Sequence, residues 1–199
     1  VTVGGVDYSN RVLKCNIHKN DTWFGKLSPN EATIVLSNHD DNWTAATLPE
    51  EDTTVTIDIN GTRHFTGYVR SASISKKTVR IQAVDKWKKW EKLKCSDTVY
   101  LNISFLNVLN DLADQAGETS TNFEDPGITV TFWHVEEGTK LRDAMEELVK
   151  SVGGSLWYDE NGVLTFTAGF ASSYPKTPVD NLYVQDMSKI EITQRSNEI

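Results

Sequence analysis

The order of polar and apolar residues divides the chain into two differently patterned halves. In the first, apolar positions recur at every second residue, the period of a strand with one buried face. Residues 11–18 alternate imperfectly, with Val12, Cys15 and Ile17 apolar. Residues 31–37 form a β-branched run, Glu31-Ala32-Thr33-Ile34-Val35-Leu36-Ser37. It is bounded by Ser28-Pro29-Asn30 before and Asn38-His39-Asp40-Asp41-Asn42 after. Residues 53–59 alternate cleanly, with Val55, Ile57 and Ile59 on one face, and Asn60-Gly61 follows as a strong hairpin signal. Residues 62–75 then predict a long returning strand, Lys76-Lys77 a turn, and residues 78–84 another strand. About five antiparallel strands in so short a stretch predict a small barrel or sandwich.

The period changes near Lys94. Ser104 can cap a helix whose apolar positions Phe105, Val108, Leu109, Leu112 and Ala116 share one face, with Gly117 as its stop. Residues 118–127 are polar, with Pro126-Gly127 as a turn, and a short strand is expected over residues 128–133. Thr139 can cap a second helix with Leu141, Ala144, Met145, Leu148, Val149 and Val152 as its stripe and Gly153-Gly154 as its stop. A hairpin should follow, residues 155–158 and 163–167 around Asp159-Glu160-Asn161-Gly162. Residues 169–178 read as a loop, and residues 184–193 return to an alternating pattern. The predicted class is α+β: an N-terminal antiparallel β-barrel over residues 1–95, then a smaller α/β domain over residues 96–185 with two helices and a β-hairpin. No internal repeat is present.

Charge sharpens the division. Residues 1–100 hold 14 Lys and Arg against 12 Asp and Glu, a net of +2; residues 101–199 hold 6 against 16, a net of −10, giving −8 overall. A surface built to grip nucleic acid would show a basic surplus, so tight nucleic-acid binding is not expected. The local exception runs from Lys86 to Lys94, five lysines interleaved with Trp87 and Trp90. The two tryptophans lie three apart, on one helical face, and read as buried anchors beneath a solvated lysine face rather than as a single-strand platform. A 38% hydrophobic content supports a packed core, and no apolar run is long enough to span a membrane. The chain opens Val1-Thr2-Val3 with no basic-then-apolar leader, so no signal peptide is expected. Cys15 and Cys95 sit in no metal-ligand spacing and read as small buried hydrophobes, compatible with cytoplasmic assembly.

Chemistry-bearing patterns are weak. No Gly-x-Ser-x-Gly, Walker A, His-Glu-x-x-His or Cys-x-x-Cys pattern occurs. His18, His39, His64 and His134 are dispersed, each in or beside a strand. The oxygen-rich Asn38–Asn42 stretch has adjacent rather than alternating acids, which favours an Asx-stabilised turn over calcium. Glu136, Glu137, Asp143, Glu146 and Glu147 bracket the second helix, where acids suit the helix N-terminus and a solvated face. No catalytic, cofactor-binding or metal residue is therefore assigned, and an enzyme is not expected.

Several blocks, in order, resemble the N-terminal region of phage and prophage tail hub proteins. That family includes the baseplate hub of contractile-tailed phages and the N-terminal region of siphophage tail-tip proteins. Val3-Gly4-Gly5-Val6-Asp7-Tyr8-Ser9-Asn10-Arg11-Val12 is similar to the family's opening strand and turn. Phe24-Gly25-Lys26-Leu27 with residues 31–38 resembles a turn leading to a strand that ends in Asn. His64-Phe65-Thr66-Gly67-Tyr68-Val69, followed by Val79-Arg80-Ile81-Gln82-Ala83-Val84-Asp85, resembles a Phe-x-Gly strand and a strand ending in Ala-x-Asp. Ala116-Gly117, the helix from Leu141, Gly153-Gly154 and the Asp159–Gly162 hairpin resemble the insert after the first barrel. Asp41-Asn42-Trp43 departs from the family's frequent Asp-Gly turn.

The resemblance implies a structural hub at the tail tip or baseplate, joining tail tube to tip. In such hubs two barrels from each of three subunits make a pseudo-six-fold ring, so a trimer is expected of the intact protein. Residues 186–199 would begin a truncated second barrel. Implied partners are the distal tail or tube protein, the tape measure, and a tip or spike, within a virion tail assembled in the host bacterial cytoplasm. The alternative is a carbohydrate-binding module of a tail-tip or secreted protein. Its motive is the supply of six tryptophans and six tyrosines as stacking platforms, against which Trp133 and Trp157 fall at strand ends and read equally as core.

Overall fold

The structure, a computed structural model, describes residues 1–19, 27 and 29–169. The first half is one seven-stranded antiparallel sheet built from β1 (Thr2–Val3), β2 (Val6–Asp7), β3 (Val12–His18), β4 (Glu31–Ser37), β5 (Thr54–Ile59), β6 (Thr62–Ser75) and β7 (Thr78–Val84). Its strand order is β2-β1-β5-β6-β7-β4-β3. The two edge strands are therefore neighbours in sequence, joined by a 3-10 turn at Ser9–Arg11. A flat seven-stranded sheet would hold its edges about 29 Å apart. The five steps from Asp7 to Val12 reach at most about 18 Å. The sheet must curl, and it forms a half-barrel whose edges β2 and β3 share no ladder.

Alternation builds the core inside the curl. Ile34 and Leu36 on β4, Val55 and Ile57 on β5, Phe65 and Val69 on β6, and Val79 and Ile81 on β7 are buried together. Positive φ at Asn60 (52°) and Gly61 (80°) gives the tight hairpin, matching strand twist as primed turns do. Gly67 has a different role. A Cβ there would lie 2.2 Å from the Val84 carbonyl oxygen and 2.7 Å from the Phe65 ring, so the Phe-Thr-Gly run is a packing requirement.

Beyond β7 come α1 (Trp87–Trp90), β8 (Thr98–Ser104), α2 (Phe105–Gln115), β9 (Thr121–Phe123), β10 (Thr129–Val135), α3 (Leu141–Ser151), β11 (Ser155–Tyr158) and β12 (Leu164–Thr167). β8 and β10 pair as an antiparallel ribbon, and β12 pairs antiparallel with β11 and parallel with β9. The apolar stripes of α2 and α3 pack with Trp87, Trp90, Leu156, Tyr158, Leu164 and Phe166 in a second core. Neither β8 nor β9 was expected from the pattern, and the strand expected over residues 128–133 runs Thr129–Val135.

Two local expectations need correction. Ser104 does cap α2, its side chain accepting from the Asn107 N–H at 3.2 Å. Thr139 does not cap α3; the helix begins after Lys140, which is extended and makes no side-chain cap bond. The lysine face of α1 is not wholly solvated. Trp87 and Trp90 are buried as expected, but only 9% of the Lys88 side chain is exposed, held between Glu51 at 2.7 Å and Asp52 at 3.1 Å. The segments expected over residues 169–178, 184–193 and 186–199 lie beyond residue 169, outside the described residues.

Candidate assembly surface

The half-barrel and the helical layer meet at a buried polar joint. Asp85, at the end of β7, is 1% exposed. Its two carboxylate oxygens accept the Asn30 N–H at 2.7 Å and the Trp87 N–H at 3.1 Å. Desolvation pushes its pKa up to about 7, against the pull of those two backbone donors and the Arg142 charge. The Ala-Val-Asp run thereby clamps the segment entering β4 to the first turn after β7. Asn30 also donates to the Tyr158 carbonyl, and Thr66 on β6 donates to the Glu160 carbonyl at 2.8 Å.

Deeper in the joint, Trp90 Nε1 donates to Tyr158 Oη at 2.9 Å, and Lys86 Nζ lies 3.2 Å from the buried Glu118 carboxylate. Burial, with the Glu118 carboxylate nearby, raises the Tyr158 phenol so that it stays neutral. Leu27 inserts into the second core, where Arg142 donates to its carbonyl. Such a joint, apolar and hydrogen-bonded at once, fixes whatever the helical layer presents relative to the barrel.

What that layer presents is the ribbon of β8 and β10. Its inner face is anchored by Tyr100, stacked on Trp133 at 5.6 Å, and by buried Val135. Tyr100 also donates to Asp111 on α2. Asn102 sits in the left-handed region (φ 49°), which breaks the alternation and turns Ile103 toward the core. The outer face carries Val99, Leu101 and Phe132 at 57%, 64% and 66% exposure, with Phe132 directly opposite Leu101. Neither outer edge of the ribbon pairs with another strand among the described residues. Two smaller apolar points, Val6 on β2 and Leu13 on β3, stand on the edges of the half-barrel.

The residues weighed for chemistry are not brought together. His134 is 2.8 Å from Asp97, while His18 on β3, His39 after β4 and His64 on β6 stand elsewhere. The acids of the Asn38–Asn42 turn have cationic partners. Arg11 grips Asp40, lowering its pKa through the side-chain hydrogen bond, and Lys77 reaches Asp41 at 2.6 Å. Asn38 is buried and exchanges two 2.9 Å bonds with the Trp43 backbone, an Asx-type closure of the turn. Of the acids around α3, Glu146 pairs with Lys150 one turn away, and Glu136, Glu137 and Asp143 are exposed. Among the described residues no group of three or more His, Cys, Asp or Glu could hold a metal ion. Cys15 and Cys95 are free thiols, the second buried. As sugar platforms the tryptophans among the described residues are poorly placed: Trp43, Trp87 and Trp90 are buried, and Trp133 and Trp157 are half-buried. No described helix is long and apolar enough to cross a membrane.

No protein-family model and no curated protein matches the chain. Solved structures do. A 43 kDa tail protein of prophage MuSo2 from Shewanella oneidensis matches 83% of this chain and 53% of its own, with a TM-score of 0.63 and 21% identity. The tail protein from Neisseria meningitidis MC58 matches 76% of this chain and 48% of its own, with a TM-score of 0.57 and 14% identity. An E. coli component of the type VI secretion system, structurally similar to the T4 bacteriophage tail proteins gp27 and gp5, matches 77% of this chain and 48% of its own, with a TM-score of 0.52 and 10% identity. The chain thus has the fold of these tail proteins and spans about half their length.

Proposed function

We propose that the chain is a structural component of a bacteriophage or prophage tail, part of the hub that joins the tail tube to the tip or baseplate. The supporting observation is the fold shared with two tail proteins over at least three quarters of the chain. Among the described residues the acids of the Asn38–Asn42 turn are ion-paired, and the ribbon of β8 and β10 leaves an apolar face open, which suits a building block. The division into a barrel over residues 1–95, an insert over residues 96–185 and the start of a second barrel from residue 186 belongs to the same proposal. So do a trimeric ring for the intact protein, contacts with tube, tape-measure and tip proteins, and assembly in the host cytoplasm before incorporation into the virion tail. A net charge of −8 suits a conduit that must let DNA pass without holding it.

The test is genetic and microscopic. Deleting the coding sequence should leave tails without a tip or baseplate, or no tails, and complementation should restore them. Gold-labelled antibody should then mark one end of the particle. Normal, infective particles from the deletion strain would refute the assignment.

A further inference from the structure

We propose that Asn60 is a site of covalent self-modification, deamidation through a succinimide, and that Asn161, the chain's other asparagine followed by glycine, is protected by its surroundings. The proposal does not depend on the tail assignment.

The chemistry is set by the residue pair. The backbone nitrogen of the glycine attacks the carbonyl carbon of the Asn side chain. A C–N bond forms to that nitrogen and the bond to the side-chain amine breaks. The amine takes up the backbone proton and leaves as ammonia. Water then opens the ring at either carbonyl, giving Asp or, with the chain rerouted through the side chain, isoaspartate. Water is the co-reactant, and nothing is oxidised or reduced. Glycine favours the step because no Cβ crowds its nitrogen and its backbone is free to turn. Asn-Gly occurs twice, at 60–61 and 161–162. Both asparagines are exposed, and both glycines have positive φ, 80° and 76°. In sequence the two pairs are equivalent.

The structure separates them. Gly61 is exposed, a Cβ there would meet nothing within 4 Å, and its N–H finds no acceptor among the described residues. The turn also opens at little cost. The β5–β6 ladder shifts register after Ile57–Phe65, leaving the tip held by the pairs Asp58–Arg63 and Ile59–Thr62. The Asp58–Arg63 ion pair is solvent-exposed and contributes little, and Ile59 is 49% exposed. A tip with so little buried apolar area frays first. Fraying lets Asn60 leave its left-handed conformation and bring its side chain onto the Gly61 nitrogen.

At the second turn those freedoms are withdrawn. Gly162 is buried against Thr66 and Lys86, and its N–H donates to the Asp159 carbonyl at 3.0 Å. Asp159 Oδ1 accepts from the Asn161 N–H at 2.9 Å and the Val163 N–H at 2.8 Å. The Glu160 carbonyl accepts from the Thr66 hydroxyl at 2.8 Å, which ties the turn to β6. Attack at Asn161 must first break the Gly162 bond and pull the turn off the barrel.

The test is to hold the folded protein in mildly alkaline buffer for days and follow both sites by peptide mapping with mass spectrometry. Isoaspartyl methyltransferase labels the isoaspartate product. Asn60 should convert at least about tenfold faster than Asn161, the factor expected when one site must break a hydrogen bond and undock before reacting. In urea-unfolded protein the two rates should converge, since the chemistry is shared. Asp159→Ala should raise the Asn161 rate in the folded protein and leave the Asn60 rate unchanged. A folded-state ratio below about tenfold overturns the proposal, as does an Asn60 that converts only in urea. A gap that persists in urea, or an Asn161 rate that Asp159→Ala leaves unchanged, overturns the protection of Asn161 by its turn.

Discussion

The half-barrel and the helical layer bury comparable cores by different means. The sheet reaches its core with every second side chain along four central strands, none larger than Phe65. Position there is set by backbone ladders, so its tolerance is decided where strands and side chains approach most closely. The helical layer relies on a few large anchors. Trp87 and Trp90 are edge-to-face at 4.9 Å, Trp87 and Tyr158 at 5.1 Å, and Phe105 meets Phe166 at 5.2 Å. There, volume and a small number of side-chain hydrogen bonds decide stability. The two regions should accordingly fail in different ways.

The largest effect is expected at Trp90. It is fully buried, and its indole N–H is satisfied by Tyr158. Trp90→Ala should cost about 3–5 kcal/mol and loosen the joint as well as the helical core. Its neighbour sharpens the point. Trp87 is equally buried, yet its Nε1 has no partner among the described residues. Trp87→Phe should be tolerated better than Trp90→Phe, because only the second strands a phenol that had a donor. Urea unfolding of the two Phe variants compares them directly; equal losses would mean that volume alone matters.

In the sheet the matching break is Gly67→Ala. The added methyl meets a carbonyl oxygen of the neighbouring strand, and backbone cannot step aside as a side-chain tip can. About 2–3 kcal/mol of destabilisation is expected, with the strand-pairing amides of β6 and β7 exchanging fastest. A loss below about 0.5 kcal/mol would show that the β6–β7 spacing yields more easily than the structure suggests.

These contrasts also explain what the sequence made legible. β4 and β7, at Glu31–Ser37 and Thr78–Val84, match their expected bounds because one face is buried, one is solvated and turn residues close each run. β8 escaped notice for the opposite reason. Val99 and Leu101 face solvent while Tyr100 faces the core, so both faces carry apolar residues and alternation disappears. β9 is three largely polar residues held by a parallel ladder to β12, a partner some forty positions away that leaves no local trace. Lys88 is similar, since its acids, Glu51 and Asp52, lie more than thirty residues upstream. The candidate surface was not legible at all. It exists because two strands with no shared motif lie side by side.

The joint between the regions offers a weaker, pH-dependent handle. Asp85 has a folded pKa raised to about 7 by burial, above its value in an unfolded chain. The folded state therefore binds the extra proton between roughly pH 4 and 7. Stability from this group is fully present below its unfolded pKa and is lost as pH rises through about 7. Wild type should thus lose stability between pH 5 and 8 relative to Asp85→Asn, by an amount on the order of 1–3 kcal/mol. Taking the difference between the two proteins cancels the four histidines, which titrate in the same window. Parallel profiles would mean that the Asn30 and Trp87 N–H groups keep Asp85 ionised throughout.

The smallest effect separates two residues that look alike in sequence. Ser104 and Thr139 each precede an amphipathic run by one or two positions, and each could satisfy an orphan N–H of the first turn. Only Ser104 does so. Its backbone is extended and its hydroxyl accepts from Asn107 N–H, so Ser104→Ala should cost about 1 kcal/mol. Thr139 stands one residue too early. Its backbone is already engaged, the carbonyl by Cys95 N–H at 2.8 Å and the N–H by the Glu136 carbonyl at 3.1 Å. The helix instead starts after Lys140, which pairs across an isolated bridge with Lys94. With no cap bond to lose, Thr139→Ala should change stability by less than about 0.5 kcal/mol. Guanidinium titration of both variants at one pH measures the difference. Equal costs would place a cap at Thr139 after all, and with it a helix start one residue earlier than the Lys94–Lys140 bridge permits.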